Sequence, residues 1–325
     1  MTSIRLLAGA GCMLAAAVTC GAALAQPAYP GKPVRVVVPF PPGGSNDIVA
    51  RVITQDLSKA MGQQFIVDNR GGASGLIGAE MVAKAPPDGY TLMVHSTTHI
   101  SNALLYKKVP YDTLNDFTPI ALLVAQPGVL VVHPALPTKT VKQFIALAKA
   151  RPDQITYASN GPGGSLHLQM ALFASMANIK LIHVPYKGGA PLVTSLLSGE
   201  TQSSTATMNT VLPHLKSGRL RALGVTSGKR SSILPDVPTI AEAGVAGYDV
   251  NPWVGAFGPA RMPKALVDRL HDEINRIVQK PEVVKQLTNQ ALDPWGTTQE
   301  EFGRRIRADY DQLRKAIELA GVQAE

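Results

Sequence analysis

Apolar positions along residues 26–325 fall into two alternating rhythms. Short runs rich in β-branched residues predict strands at Val34–Val38, Phe65–Val67, Thr91–Val94, Ile155–Tyr157, Leu181–Val184, Thr201–Thr207 and Arg221–Val225. Helical spacing lies between them: Ile48, Val49, Val52, Ile53, Leu57 and Met61 share one face, and Gly62 supplies a stop. Further helices are predicted near 76–84, through Ala150 from a capping box of Thr140 and Gln143, over 167–176 and over 191–198. The tail is helical, with a stripe of Leu266, Val267, Leu270, Ile274, Ile277 and Val278, followed by a helix capped by Thr298 and Glu301 that ends near Gly321. Strand and helix in strict alternation predict an α/β architecture with parallel strands.

Two extended apolar stretches, 120–132 and 248–259, interrupt this alternation and are broken by Pro127 and Pro252. Read as crossovers, they divide the chain into domain 1 (26–125 plus 248–325) and domain 2 (126–247). Two connecting strands then form a hinge with a cleft between the lobes.

Residues 1–25 stand outside this pattern and read as a secretory signal peptide. Arg5 is its basic residue, an Ala- and Leu-rich core follows, and Ala23-Leu24-Ala25 forms the cleavage site. Both cysteines, Cys12 and Cys20, lie within it, so the mature chain has no disulfide, thiolate metal site or cysteine nucleophile. The net charge of +8 is scattered, and the densest basic cluster, Arg304, Arg305 and Arg307, is interleaved with acids. With aromatic residues at 5% of the chain, stacking platforms for nucleic acid are excluded.

The candidate chemistry sits in glycine-rich loops after the strands, where ligands bind in open α/β sheets. The tetrapeptide Pro-Gly-Gly-Ser occurs twice, at 42–45 and 162–165, each time between a predicted strand and a predicted helix. Glycines let backbone amides converge on an anion, and the following helix adds open N–H groups and a partial positive charge. The expected ligand-binding set is therefore Phe40, Gly43, Gly44, Ser45, Asn46 and Asp47 at the first corner, and Ser159, Asn160, Gly163, Gly164 and Ser165 at the second. Ser74, Thr97, Thr98 and Tyr186 come from neighbouring loops. Asp47 is expected to cap the first helix, and His167 either points at an anion or packs beneath the loop. Arg70 and Lys187 are loop cations that either neutralise a ligand or stay solvated.

Signatures of enzymes fail on inspection. The run 161–166 has Leu166 where a dinucleotide-binding loop needs its third glycine, and 224–230 has the wrong glycine spacing for a P-loop. Gly72-Ala73-Ser74-Gly75-Leu76 breaks the nucleophile-elbow pattern at its last position. His95 and His99 lack the glutamate of a zinc-protease helix, so no metal site is assigned.

Taken in order, several motifs resemble the tripartite tricarboxylate transporter substrate-binding proteins, the Bug or TctC family, over essentially the whole mature chain. They are Val37-Val38-Pro39-Phe40-Pro41-Pro42-Gly43-Gly44 with Asp47 and Arg51, Asp68-Asn69-Arg70-Gly71-Gly72-Ala73 with Gly75, and Asp88-Gly89-Tyr90-Thr91-Leu92. Further on stand His183-Val184-Pro185-Tyr186-Lys187-Gly188, Leu234-Pro235-Asp236-Val237-Pro238-Thr239 and Trp253. The resemblance implies a periplasmic, two-lobed Venus flytrap of type II-like fold, monomeric and without cofactor. It implies capture of a small carboxylate for a membrane permease, with the two corners gripping from opposite lobes and Thr97 and Thr98 lining the floor. A sensor subunit for a signalling partner, or a periplasmic hydrolase, is the alternative. Ala171 stands where relatives often carry Glu, and the strand at Thr201–Thr207 is unusually polar. If that strand end faces the cleft, it favours a ligand with a polar tail.

Overall fold

Val34–Val38 (β1) is buried apart from Arg35, and its alternate side chains serve opposite faces of a sheet. Val36 and Val38 pack with one core cluster, and Val37 joins another. The structure, a computed structural model, describes residues 29–162, 164–186 and 189–322. The signal segment, Gly163 and Lys187 therefore lie outside the described residues.

The chain continues through α1 (Ser45–Met61), β2 (Phe65–Asn69), α2 (Leu76–Ala83), β3 (Thr91–Ser96), α3 (Thr98–Leu105) and β4 (Phe117–Ala125). After Gln126 and Pro127 come β5 (Gly128–Val132), α4 (Val141–Ala150), β6 (Thr156–Ser159), α5 (Ser165–Ala177) and β7 (Ile182–Pro185). Next are α6 (Gly189–Ser198), β8 (Ser203–Thr207), α7 (Met208–Lys216) and β9 (Arg221–Val225). A long irregular stretch leads to β10 (Trp253–Pro259), α8 (Lys264–Val278), α9 (Pro281–Asn289), β11 (Asp293–Pro294) and α10 (Gln299–Ala320).

Two sheets result, one of six strands in the order β11-β4-β10-β3-β1-β2 and one of five in the order β7-β6-β8-β5-β9. Neither is purely parallel, contrary to the expectation from the βα alternation. β1 pairs parallel with β2 and β3, and β6 with β7 and β8, but β10 and β5 run antiparallel to both of their long neighbours. These two strands are the ones that have just crossed from the other sheet. A strand arriving through the hinge enters from the opposite end, so it inserts head to tail.

The crossings lie side by side. Gln126 N donates to Pro252 O (2.6 Å), and Val250 N donates to Thr226 O (2.8 Å). Regular strand in the return segment starts only at Trp253; before it Tyr248, fully buried, fills the core of the second lobe beside Phe144 and Phe173. The helix α10 spans both lobes. It starts with the capping box expected of Thr298 and Glu301. Its Phe302 and Ile306 pack with Trp253 and Phe257, while its Ala316 and Ile317 join the cluster of Phe144 and Phe173.

Candidate functional site

β1, β3 and β6 all end at one side of their sheets, and each end turns into a helix that carries candidate residues. At the first corner Gly43 takes a φ of +87°, which L side chains rarely adopt. Its N–H donates to Asp47 Oδ2 (2.9 Å), which also receives Arg51 Nε (2.9 Å), while Asn69 Nδ2 donates to Asp47 Oδ1 (3.0 Å) and to Phe40 O (3.1 Å). Asp47 thus ties the corner to the end of β2, and the amide of Gly43 is already spent. The expected cap on α1 is absent: its N-cap is Gly44, with no side-chain cap. Burial opposes ionisation of Asp47, yet the hydrogen bonds from Arg51, Gly43 and Asn69 outweigh it and hold its carboxyl below the usual range.

The floor is built by the end of β3. Thr97 N donates to Trp253 O (3.1 Å), which fixes the strand end against the return crossing, and Ser96 Oγ donates to Thr98 Oγ1 (3.1 Å). Residues 98–105 form a helix where the sequence suggested only a polar loop. That helix brings Asn102 to Ser74, whose carbonyl accepts from Asn102 Nδ2 (3.0 Å), and Ser74 Oγ shares a hydrogen bond with Tyr106 OH (2.8 Å).

At the second corner Ser159 Oγ accepts from Gly161 N (3.1 Å) and lies 2.6 Å from His183 Nε2. A serine beside a histidine suggests a nucleophile and its base, but Ser159 is fully buried, so no substrate carbonyl reaches it. Asn160 Oδ1 accepts from Leu166 N (3.2 Å), and α5, like α1, starts at a glycine N-cap, Gly164, with no side-chain cap. His167 resolves in favour of packing. Its ring stacks on His183 at 4.0 Å and on Tyr157 at 6.3 Å, and burial, with a smaller contribution from His183, pushes its pKa down to about 4.

Between the lobes lies a cavity of about 430 Å³. Of the expected residues, Ser74, Thr97, Thr98, Asn160, Gly164 and Ser165 line it. Phe40, Gly43, Gly44, Ser45, Asn46, Asp47, Ser159, His167 and Tyr186 do not. Phe40 meets His95 edge-on at 5.2 Å, and Tyr186 OH donates to Glu200 Oε1 (3.0 Å). Residues that the sequence did not point to also line it, among them Ser101, Asn102 and Leu105 on α3, Tyr106 just past its end, Gln169 and Leu172 on α5, Asn251 on the return crossing, and Asp309, Gln312 and Leu313 on α10. The signal that could have found the α3 residues is the short amphipathic run after Thr98. Those of α10 carry no local motif and reach the cavity only through the fold.

Among the described residues no lysine, arginine or histidine lines this cavity, and its one charged group, Asp309, is engaged. Asp309 pairs with Arg305 (2.8 Å) and accepts from Trp253 Nε1 (2.7 Å). Burial outweighs both and pushes its pKa up. The polar strand β8 does not reach this cavity either. Ser203, Ser204 and Thr205 are fully buried, and their hydroxyls donate to the carbonyls of Thr156, Ala158 and Leu166 at 2.9, 2.8 and 3.2 Å. The inference of a polar ligand tail from that strand is therefore withdrawn. No cluster of three potential metal ligands occurs among the described residues. His95 and His99 instead lie in an aromatic core with Phe40, Tyr111, Phe117 and Phe257, and burial drives His99 down to about 3 and His95 well below its ordinary value.

Residues 49–322 match the family model described as the tripartite tricarboxylate transporter family receptor. The chain belongs to this family. The receptor is 36% identical over 296 residues to Protein BugT of Bordetella pertussis, covering 90% of each chain. It is similar to a solved TctC solute binding protein from Polaromonas without ligand, at 29% identity and a TM-score of 0.81, covering 89% of this chain and 99% of that one. It is also similar to an R. palustris protein solved with adipate, at 34% identity and a TM-score of 0.71, covering 91% of this chain and all of that one. The two-lobed fold is that of periplasmic binding proteins, and the family is one of solute-binding receptors rather than enzymes. No helix among the described residues is long and apolar enough to cross a membrane.

Proposed function

We propose that this receptor captures a small carboxylate between its lobes in the periplasm and delivers it to a membrane permease of the tripartite tricarboxylate type. In this reading residues 1–25 are removed on export, and the lobes are 26–125 with 248–325, and 126–247. The observation that carries the proposal is the cavity between the lobes, lined from one side by the start of α5 at Gly164 and Ser165 and from the other by Thr97 and Thr98. The helix α5 opens there behind a glycine N-cap with no side chain of its own, whereas the matching start of α1 lies outside the cavity lining. The dipole at the start of α5, and its first-turn amides beside the Leu166 N–H that donates to Asn160, favour an anion without a cationic side chain. A similar protein is solved with adipate, which supports a carboxylate ligand.

Thermal unfolding of the purified protein against aliphatic, aromatic and amino-acid carboxylates tests the proposal. A true ligand at a hundred times its Kd adds about 2.7 kcal/mol to stability. Stabilisation by sugars or metal ions, with none by any carboxylate, would overturn it.

A further inference from the structure

We propose that Gln169 and Asn251 form a second polar contact at the hinge end of the interlobe cavity, recognising an uncharged hydrogen-bonding group, such as a hydroxyl, on the tail of the bound carboxylate. The inference rests on the carboxylate-receptor reading above and narrows its ligand class.

Gln169 projects from α5 and Asn251 from the return crossing, and both line the cavity. They are 4% and 7% exposed, and among the described residues neither Gln169 Oε1 nor Asn251 Oδ1 has a hydrogen-bond partner. A Cβ added to Gly128, at the start of the first strand past the hinge, would lie 3.0 Å from Gln169 Oε1, which places this amide beside the hinge. A buried amide group left without a partner costs about 1–3 kcal/mol, so two of them among the lining residues of one cavity mark a place where a partner binds.

The surroundings select that partner. Leu168, Leu172 and Leu313 also line the cavity and suit a hydrocarbon segment. A second carboxylate in this chamber would find no cation among the described lining residues and would share it with the carboxylate of Asp309. A hydroxyl carries no charge and both donates and accepts, so it satisfies the amides in either orientation.

Calorimetric titration decides the matter, using the straight-chain acids from butanoate to octanoate, their ω-hydroxy counterparts and the matching diacids. The expected result is that the best ω-hydroxy acid binds at least about tenfold tighter than the plain acid of equal length, and tighter than the diacid. Gln169→Met and Asn251→Leu should each erase that preference, read as the ratio of the hydroxy-acid and plain-acid affinities within each variant. Equal binding of plain and hydroxy acids, tightest binding of a diacid, or a preference that survives in both variants would overturn the inference while the receptor reading stands. Binding of no acid in this series would overturn this inference, and the receptor reading falls with it only if the aromatic and amino-acid carboxylates also fail to stabilise the protein.

Discussion

At the scale of single residues, the two corners are built by different means although their tetrapeptides are identical. Asp47 organises the first by accepting three donors, whereas the second is shaped by Asn160, whose side chain sits where a Cβ on Gly164 would fall, at 2.3 Å. Gly164→Ala is therefore expected to displace Asn160 and lower carboxylate affinity at least about tenfold, because misplaced donors lose their hydrogen bonds, at a stability cost of about 1 kcal/mol. Calorimetry beside thermal unfolding checks it; unchanged affinity would show that the corner is only a turn. Asp47 also predicts a pH effect. Its folded pKa is depressed, so its contribution to stability is present above the unfolded carboxyl range near 4 and is lost as pH falls through the lower folded value. Denaturant titrations from pH 7 to pH 3 should show a steeper loss for the native protein than for Asp47→Asn, and parallel profiles would refute the assignment. These roles were only partly legible beforehand. Glycine, serine and asparagine in a corner announce available donors, but which amide is already spent depends on a partner such as Asn69, on another strand.

At the scale of elements, periodicity located most strands and helices because each has one buried face, and the caps at Thr140 and Thr298 were readable as local chemistry. Three features escaped. The helix α3 was hidden by its polar start, and α7 follows β8 without a break and carries Pro213 within it. The antiparallel insertion of β5 and β10 is a property of the hinge path and leaves no mark on their own residues. The polar strand β8 misled for a physical reason: central strands are normally apolar, but here hydroxyls meet carbonyls that would otherwise lack a second partner. Thr205→Val keeps the shape of the side chain and removes the bond to Leu166 O. It should cost about 1 kcal/mol in chemical denaturation and leave ligand affinity within about twofold. A large loss of affinity at constant stability would return this strand to the cleft.

At the scale of the molecule, two lobes share two short crossings and one long helix. The crossings are hydrogen bonded to each other at Gln126 and Pro252, and α10 packs into the cores on both sides, so motion between the lobes must bend a small, defined region. The cavity lies beside this region, lined by α3 from the first lobe, by α5 from the second and by α10. In the proposed function a carboxylate that touches donors from both lobes is held best when they approach, and its binding energy shifts the population toward a closed form. Small-angle scattering across a titration with the tightest-binding carboxylate measures this directly. The radius of gyration is expected to fall as the site fills, with the midpoint at the calorimetric Kd. Saturated binding with an unchanged radius of gyration would contradict it.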